Sequence, residues 1–450
     1  MRRRPPRLLL DVSPLRESRD YRFLFSGQAV GYLGSQLTVV AVPFQVYLLT
    51  ESSLAVGMVG LVSLAPLIVL SLIGGSVADA VDRRKLLVGT QTALTLISAA
   101  LALNASAGEG ASLAAIYVCA ALNAGFSGID LPTRNAILPN LVPRTQFTAA
   151  ASLGQVLIQV GQVAGPALAG LILSRWGLAV AYWLDAATSV MAILLTLAIR
   201  PQPPHGGGTK AGLTSIKEGL AYLRGRRLIL STFVVDINAM VFGMPRALFP
   251  ALATGLYGGG PGTLGLLYAA PGAGALLGAV FTGWVGSVRR QGWAVIVAVI
   301  AWGAAIAAFG LVSWLPLGLL LLAAAGAADV VSAVFRSTIL QLSVPDALRG
   351  RLSSVHIAVV TGGPRLGDAE AGVVAALTTA RFSVVSGGLA CIVGALVVAK
   401  AFPELARYDA EEEGGPEAPR YDRPGSPTTA MGQGEAPSPD LRPVREDPIG

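Results

Sequence analysis

The chain has 450 residues, of which 53% are hydrophobic and only 13% are charged, and its mean hydropathy is +0.63. Soluble domains carry about a quarter of charged residues, so this composition excludes an ordinary soluble protein and favours one that crosses a membrane many times. The net charge of +7 does not indicate binding to nucleic acid, because most basic residues lie in short segments between apolar runs.

Runs of about 20 apolar residues predict an all-α membrane protein with about twelve spanning helices. In chain order these helices cover residues 23–49, 54–78, 86–105, 112–138, 148–173, 178–199, 228–253, 263–286, 293–312, 315–340, 354–379 and 382–402. Residues 1–22 form a basic amino-terminal segment whose three consecutive leucines are too few for the core of a signal peptide. Residues 200–227 are predicted to form a polar linker, and residues 403–450 a disordered tail.

Basic residues are distributed unevenly among the connections. Seven arginines precede Phe23, and further lysines and arginines follow the second, sixth and eighth predicted helices. The alternate connections carry only four charges, on Glu51, Glu109, Arg175 and Arg381. Because cytoplasmic loops are enriched in Lys and Arg, both termini are expected in the cytoplasm, with the chain in the cell membrane.

The sequence contains an internal repeat. The stretch "RNAILPNLVP" begins at Arg134 and "RSTILQLSVP" begins at Arg336, which gives an offset of 336 − 134 = 202 residues. The same offset relates three glycines of the fifth predicted helix to three of the eleventh, Gly161, Gly165 and Gly170 to Gly363, Gly367 and Gly372. A repeat of this length predicts two pseudo-symmetric six-helix bundles, over residues 23–199 and 228–402.

Two motifs resemble those of the major facilitator superfamily. The pattern Gly75-x3-Asp79-x3-Arg83-Arg84, after the second predicted helix, resembles the signature loop of that superfamily. The fifth predicted helix carries a glycine-proline pattern similar to that of its proton-driven antiporters, made of Gly161, Gly165, Pro166 and Gly170. The chain from residue 20 to about 402 is also similar to the bacterial enterobactin exporters and related drug-efflux proteins, for example in "LGLLYAAPGAGALLGA" from Leu264.

The resemblance implies the major facilitator fold and a conformational latch at the loop of Gly75, Asp79, Arg83 and Arg84. A carboxylate at Asp79 can face the amino terminus of a neighbouring helix, which the resemblance implies to be the eleventh, and such contacts bias one of two states modestly. The alternative is that the charges only fix topology. This chain departs from the superfamily pattern at Ala80, where arginine is usual, and the matching loop of the second half has no acid.

Charged residues inside the predicted helices are costly and therefore indicate function. The proton-coupling candidates are Asp236, Asp368, Arg365, Glu370, Asp185 and Asp329, and Arg246 is a candidate for lining the cavity. Asp236 has no cation within four residues along its own helix and is expected near the membrane midplane. Arg134 and Arg336 are expected to be structural, pairing with Asp130 or reaching the membrane surface.

The eleventh predicted helix has three charges within six residues. Arg365 and Asp368 are about 60° apart around a helix and can form an ion pair, whereas Asp368 and Glu370 are about 200° apart. We expect Asp368 to face the cavity, held by Arg365, and Glu370 to face a neighbouring helix. A static buried ion pair is the alternative interpretation.

Amide side chains follow one stripe of the fifth predicted helix. Gln155, Gln159 and Gln162 are expected to line a cavity, together with Asn238 of the seventh, and to bind a polar, uncharged solute. A seam of hydrogen bonds between helices is the alternative.

Enzymatic motifs are missing from the sequence. It contains no His-Glu-x-x-His, Gly-x-Ser-x-Gly or Cys-x-x-Cys, and "GGGTKAG" lacks the Gly-Lys-Ser/Thr of a phosphate loop, so neither an enzyme nor ATP hydrolysis is expected. Cys119 and Cys391 lie in apolar runs and predict no disulfide.

The sequence therefore predicts a transporter that exports a small amphipathic molecule, such as a siderophore or a lipophilic drug, in exchange for protons. Its expected partners are that substrate, protons and lipid, without nucleic acid, ATP, cofactor or metal, and it is expected to act as a monomer. Import of a small solute is the main alternative, because only the resemblance of the fifth helix favours export; a membrane enzyme is a remote one.

Overall fold

The computed structural model describes residues 11–203, 223, 225–281, 283, 285, 288–344 and 346–409. The described chain is built of helices, as predicted. The first six spanning helices are α1 (Arg19–Thr50), α2 (Ser53–Ala80), α3 (Arg83–Ser106), α4 (Leu113–Leu141), and α5 and α6, which share the continuous stretch Phe147–Leu197. The other six are α7 (Arg227–Phe242), α8 (Pro261–Val280), α9 (Gln291–Leu311), α10 (Leu315–Ser343), α11 (Asp346–Leu377) and α12 (Ala380–Ala401).

Local sequence sets where these helices begin and end. Side chains of Ser18, Ser52, Asp82 and Ser112 accept hydrogen bonds from the first amides of α1 to α4, which stabilises those amino termini. Gly177 has φ 80° and ψ −177°, a conformation open to glycine, and it separates α5 (147–176) from α6 (178–197). The boundary predicted between 173 and 178 is therefore confirmed.

The hydropathy of the helices agrees with a membrane location. Ten helical segments among the described residues are long and apolar enough to cross a membrane, and one of these, Arg144–Leu197, contains both α5 and α6. Helix α11 is not among the ten, and it carries the charged residues Arg365, Asp368 and Glu370. A continuation of α7 over 246–256 includes a five-residue π-helix, Leu252–Leu256.

The helices pack as two halves. Helix α1 packs against α5–α6 and α2 against α4 in the first half, while α9 packs against α10 and α12 in the second. The halves contact each other mainly through α2 with α11 and α5 with α8. The 202-residue repeat relates α2 to α8 and α5 to α11, so the contact surface has the predicted pseudo-twofold symmetry.

Glycines bring the halves close together at one end of the bundle. A Cβ atom on Gly265 of α8 would lie 2.5 Å from the carbonyl oxygen of Pro166 and 2.7 Å from Cα of Gly170, both on α5. A Cβ on Gly57 of α2 would lie 2.4 Å from the carbonyl oxygen of Asp368 on α11. We call this end, where α1 ends and α2 begins, the distal end. The distal halves of these helices are therefore in backbone contact.

The remaining glycines of the α5 motif accommodate α1. A Cβ on Gly161 would lie 2.5 Å from the ring of Tyr32, and one on Gly165 would lie 2.5 Å from Cβ of Gln36. The motif of Gly161, Gly165, Pro166 and Gly170 thus lets α5 pack closely against α1 on one side and α8 on the other.

The residues that follow α12 correct the predicted boundary of the tail. A short helix, Pro403–Arg407, follows α12 directly, and Leu405 and Tyr408 are buried. The carbonyl of Leu405 lies against Gly292 of α9, and Arg227 forms an ion pair with Glu404 at 3.4 Å. The predicted tail therefore begins with packed residues up to 409, while its remainder and most of the 200–227 linker lie outside the described residues.

Substituting Gly265 tests the contact between α5 and α8. Gly265→Ala places a methyl group against the backbone of α5, so it should lower stability by about 1–3 kcal/mol, the usual cost of overpacking. Gly262→Ala on the same helix is the matched control, because a Cβ there has no atom within 4 Å. Thermal unfolding of the purified proteins measures the difference, and equal midpoints for the two variants would contradict the close contact.

Truncation tests the packed start of the tail. Ending the chain after Asp409 should leave the folded bundle intact, whereas ending it after Pro403 removes the buried Leu405 and Tyr408 and should destabilise it by a few kcal/mol. Membrane abundance and thermal unfolding of the two truncated chains provide the comparison. Equal stability would show that residues 404–409 contribute nothing to the fold.

Candidate functional site

The arginines of the expected latch loop bind within the first half. Arg83 donates a hydrogen bond to the carbonyl of Ala136 on α4 at 3.0 Å, and Arg84 donates to the carbonyl of Leu197 at the end of α6. Cationic donors at these carbonyls stabilise helix carboxyl termini. The side chains of Gly75 and Asp79 lie outside the described part of the chain, so their latch role stays a prediction.

A cluster of three charges, two of them buried and the third half-buried, connects α7 and α10. Arg336 of α10 is 5% exposed and forms an ion pair with Asp236 of α7, which is 1% exposed. The other guanidinium nitrogen, Nη2, lies 4.0 Å from Oδ1 of Asp329, about two helical turns earlier on α10. We call Asp236, Arg336 and Asp329 the charge triad. It holds two carboxylates around one guanidinium.

The triad adds to one expectation and corrects another. Asp236 has no cation nearby on its own helix, as the sequence shows, but Arg336 reaches it from a helix that is 100 residues away in sequence. Arg336 is buried in the bundle and does not extend to the membrane surface. Its repeat counterpart Arg134 does pair as expected, with Asp130 one turn away on α4.

The charges of α11 make different contacts from those expected. Oδ1 of Asp368 accepts a hydrogen bond from the backbone amide of Ala247 at 3.0 Å, and Arg365 donates to the carbonyl of Thr361 at 2.6 Å. No ion pair within 4.0 Å joins Arg365 and Asp368, although both are among the described residues. The backbone of the segment after α7 thus holds Asp368, and Glu370 lies half-buried two residues further along.

A small pocket of about 70 Å³ lies between α5 and the second half. Gln162 of α5, Arg246 and Asp329 contribute polar groups to its wall, and Trp302 and Phe249 contribute aromatic rings. Tyr32 of α1 interacts with the side chain of Gln162. The pocket therefore brings together one amide from the predicted stripe, one arginine and one carboxylate of the triad.

The other predicted lining residues divide into two groups. Gln155 is exposed and Gln159 half-buried on α5, and neither lines this pocket. Asn238 does not line this pocket, and its amide donates to the carbonyl of Cys391 on α12 at 2.9 Å. Asn238 thus fits the alternative that was weighed for the amides, a hydrogen bond between helices.

Asp185 of α6 lies in the first half, apart from the other charges. It is 3% exposed, and its Oδ2 accepts hydrogen bonds from the hydroxyls of Thr38 at 2.6 Å and Ser98 at 2.7 Å. Sequence reasoning selected Asp185 by its charge but missed Thr38 and Ser98. Uncharged hydroxyl residues inside spanning helices are the signal that could have indicated them.

This architecture defines a class of protein. Two related six-helix halves meet along paired helices, and charged and amide side chains lie near the surfaces where they meet. Such an arrangement is that of a membrane transporter with the major facilitator fold.

Comparison with known proteins agrees and specifies the family. Residues 11–420 match the family of transmembrane secretion effectors, MFS_3, and the chain belongs to that family. It is 28% identical over 400 residues to the enterobactin exporters EntS of Citrobacter koseri and Shigella boydii, with 89% of this chain and 96% of each relative covered.

Solved structures share the fold at low sequence identity. A bacterial homologue of the human lysosomal transporter Spinster, in an inward-facing and unoccupied conformation, has a TM-score of 0.69 at 14% identity and covers 88% of this chain and 99% of its own. A bacterial homologue of the iron transporter ferroportin, in an inward-facing state, has a TM-score of 0.66 at 16% identity, with coverage of 86% and 98%. These structures show the fold.

The pairing of charges in the triad can be tested through the stability of variant proteins. Arg336→Gln leaves two buried carboxylates without their cation and should cost about 3–5 kcal/mol. The double variant Asp236→Asn/Arg336→Gln removes an acid as well and should recover part of that loss, so the two single changes should not be additive. Thermal unfolding of wild type, both single variants and the double variant gives the interaction free energy between Asp236 and Arg336. Additive effects would contradict a direct pair.

Proposed function

We propose that the chain exports a small amphipathic molecule across the cell membrane in exchange for protons, by alternating access between its two halves. The observation that carries this proposal is the charge triad, in which one buried guanidinium lies between two carboxylates beside a pocket. Membership of a secretion-effector family and the similarity to enterobactin exporters support export.

The charge balance of the triad favours a proton. Two carboxylates and one guanidinium have a net charge of −1, which is costly inside a membrane, and one proton makes the cluster neutral. Asp329 is the carboxylate that lines the pocket and is farther from Arg336, whereas Asp236 is enclosed with it. The exchangeable proton therefore binds Asp329, and deprotonation draws Arg336 toward it.

One unsatisfied atom supports such a movement. The Nε of Arg336 is buried and has no hydrogen-bond partner among the described residues. A buried donor without an acceptor is rare and calls for a second arrangement or for water. A shift of the guanidinium toward Asp329 provides such a second arrangement. Arg336 is therefore the residue that moves when the proton is exchanged.

The substrate cavity lies where the two halves meet. Gln162, Arg246 and Asp329 supply a few polar groups next to the aromatic rings of Trp302 and Phe249, a combination that suits an amphipathic solute. Asp368 accepts a hydrogen bond from the amide of Ala247, the residue after Arg246. Gln155 and Gln159 extend the polar stripe along α5, and Arg365 contributes positive charge near Asp368, whereas Glu370 faces a neighbouring helix. A siderophore-type molecule is the first candidate substrate because the relatives are named enterobactin exporters; a lipophilic drug is the second.

The distal packing supports an inward-facing state for this structure. With both termini in the cytoplasm, the distal end faces outward, so the close contacts at Gly265 and Gly57 close the outer side. The loop of Gly75, Asp79, Arg83 and Arg84 then acts at the inner side. Asp79 stabilises the outward-facing state, in which the inner side is closed. The chain works as a monomer, because each of its halves provides one side of the cavity.

Proton coupling is tested by Asp329→Asn. This change keeps the Asp236–Arg336 pair, so abundance should stay near that of wild type, while export driven against a concentration gradient by a pH gradient should be lost. Downhill exchange should be spared, because the cavity is intact. Proteoliposomes loaded with a substrate that wild type transports provide both measurements.

Glu370→Gln is the control, since it removes an intramembrane carboxylate outside the triad and should keep uphill export. Uphill export by Asp329→Asn at the wild-type rate would place the coupling elsewhere, with Asp368 as the next candidate. Accumulation of candidate compounds in a deletion strain identifies the substrate, and reduced rather than increased accumulation would indicate import.

A further inference from the structure

The first half contains a cavity of its own, separate from the pocket beside the triad. Its volume is about 280 Å³, and it is bordered by α1, α3, α4, α5 and α6. Asp185 contributes to its wall near the middle of the membrane, and the paired residues Asp130 and Arg134 contribute nearer the end where the chain termini lie. Most other polar groups in the wall are hydroxyls and amides, among them Ser98, Asn123 and Ser127.

This cavity carries an unbalanced negative charge. Asp130 is compensated by Arg134 and accepts a further hydrogen bond from Thr90 at 3.1 Å. Among the described residues, the carboxylate of Asp185 has only the hydroxyl donors Thr38 and Ser98, and both bind the same oxygen, Oδ2. No cation lies within ion-pair distance of Asp185 in the described part of the chain.

The free oxygen of Asp185 and one amide are available to a ligand. Oδ1 of Asp185 has no hydrogen-bond donor among the described residues, and it lies beside Gly34 of α1, where a side chain would crowd it. Gln91 is 3% exposed and lines the cavity, and its Nε2 has no hydrogen-bond partner among those residues. A buried amide nitrogen and a carboxylate oxygen, both without a hydrogen-bond partner among the described residues, thus belong to residues that line one cavity and indicate that a ligand occupies it.

The chemistry of the wall selects the ligand class. A single uncompensated carboxylate surrounded by neutral oxygen groups balances one positive charge, and hard oxygen donors suit protons and alkali ions rather than soft metals. Among the described residues no group of three or more His, Cys, Asp and Glu side chains is placed to hold a metal, which disfavours a divalent transition-metal ion. The site therefore suits a monovalent cation.

We propose that this cavity is a second cation site, in which Asp185 takes up one monovalent cation, a proton or an alkali ion, independently of the triad. Without that cation a bare carboxylate would remain inside the membrane, which is costly. The other titratable or charged groups near Asp185 are Tyr182 on α6, Tyr32 on α1, and Cys119, Asp130 and Arg134 on α4. Of these, Arg134 is engaged by Asp130, and Tyr182 donates to Gln45 at 2.8 Å.

The test measures cation binding to the full chain in lipid nanodiscs without substrate. Thermal unfolding is followed as sodium, potassium or lithium chloride replaces choline chloride at constant ionic strength, and proton uptake between about pH 8 and pH 5 is titrated in parallel. A ligand that binds only the folded state raises its unfolding midpoint in a saturable manner. Wild type should show either that saturable rise or uptake of one proton more than Asp185→Asn takes up.

Asp185→Asn keeps a carbonyl oxygen to accept from Thr38 and Ser98 and should remove the response. Ser127→Leu, which fills the cavity and leaves the carboxylate in place, should weaken it at least tenfold. Thr188→Val is the matched control, because the Thr188 hydroxyl donates to the backbone of Asp185 and not to its carboxylate, so the response should persist.

An alkali-dependent rise that Asp185→Asn abolishes identifies an alkali ion, and a difference of one proton identifies a proton; both support the site. No alkali effect together with identical proton uptake by wild type and Asp185→Asn would overturn it. Because binding is measured without transport, this outcome is independent of the Asp329→Asn experiment.

Discussion

A guanidinium buried among membrane helices must keep an anionic partner, since an unpaired charge there costs several kcal/mol. Arg336 meets this requirement through Asp236 on another helix, and this pair joins α10 to α7 inside the second half. Asp329 lies close enough to compete for the same cation. In the proposed function, this second acid gives the cluster two alternative arrangements that differ by one proton.

The internal repeat shows how the two halves came to differ at this position. Arg134 and Arg336 occupy equivalent places, but the equivalent of Asp130 is Ser332, 202 residues later. Arg134 therefore pairs within its own helix, whereas Arg336 lacks that partner and binds across to α7. Asp236 in turn corresponds to Gly34, beside Asp185 in the first half. Both halves thus contain the equivalent arginine, but Arg336 binds a carboxylate on another helix, whereas Asp185 of the first half has no cation partner among the described residues.

The helices could be predicted from the sequence, because long apolar runs and the segments that separate them are local features of the chain. It was also sufficient to select Asp185, Asp236, Asp329 and Asp368 as unusual. The partners were not predictable, since rotation and depth of neighbouring helices decide them: Arg336 reached Asp236, and the amide of Ala247 took the place expected for Arg365. Spacing along α11 allowed an Arg365–Asp368 pair, but the carbonyl of Thr361 on the same helix bound the guanidinium instead.

In the proposed mechanism the triad binds one proton and releases it when Arg336 moves to Asp329. Calorimetric titration of the transported substrate into purified protein, in buffers of different ionisation enthalpy, counts the protons released on binding. Wild type should release about one proton per chain and Asp329→Asn none, with substrate still bound. Equal proton release by the two proteins would show that Asp329 does not carry the exchanged proton.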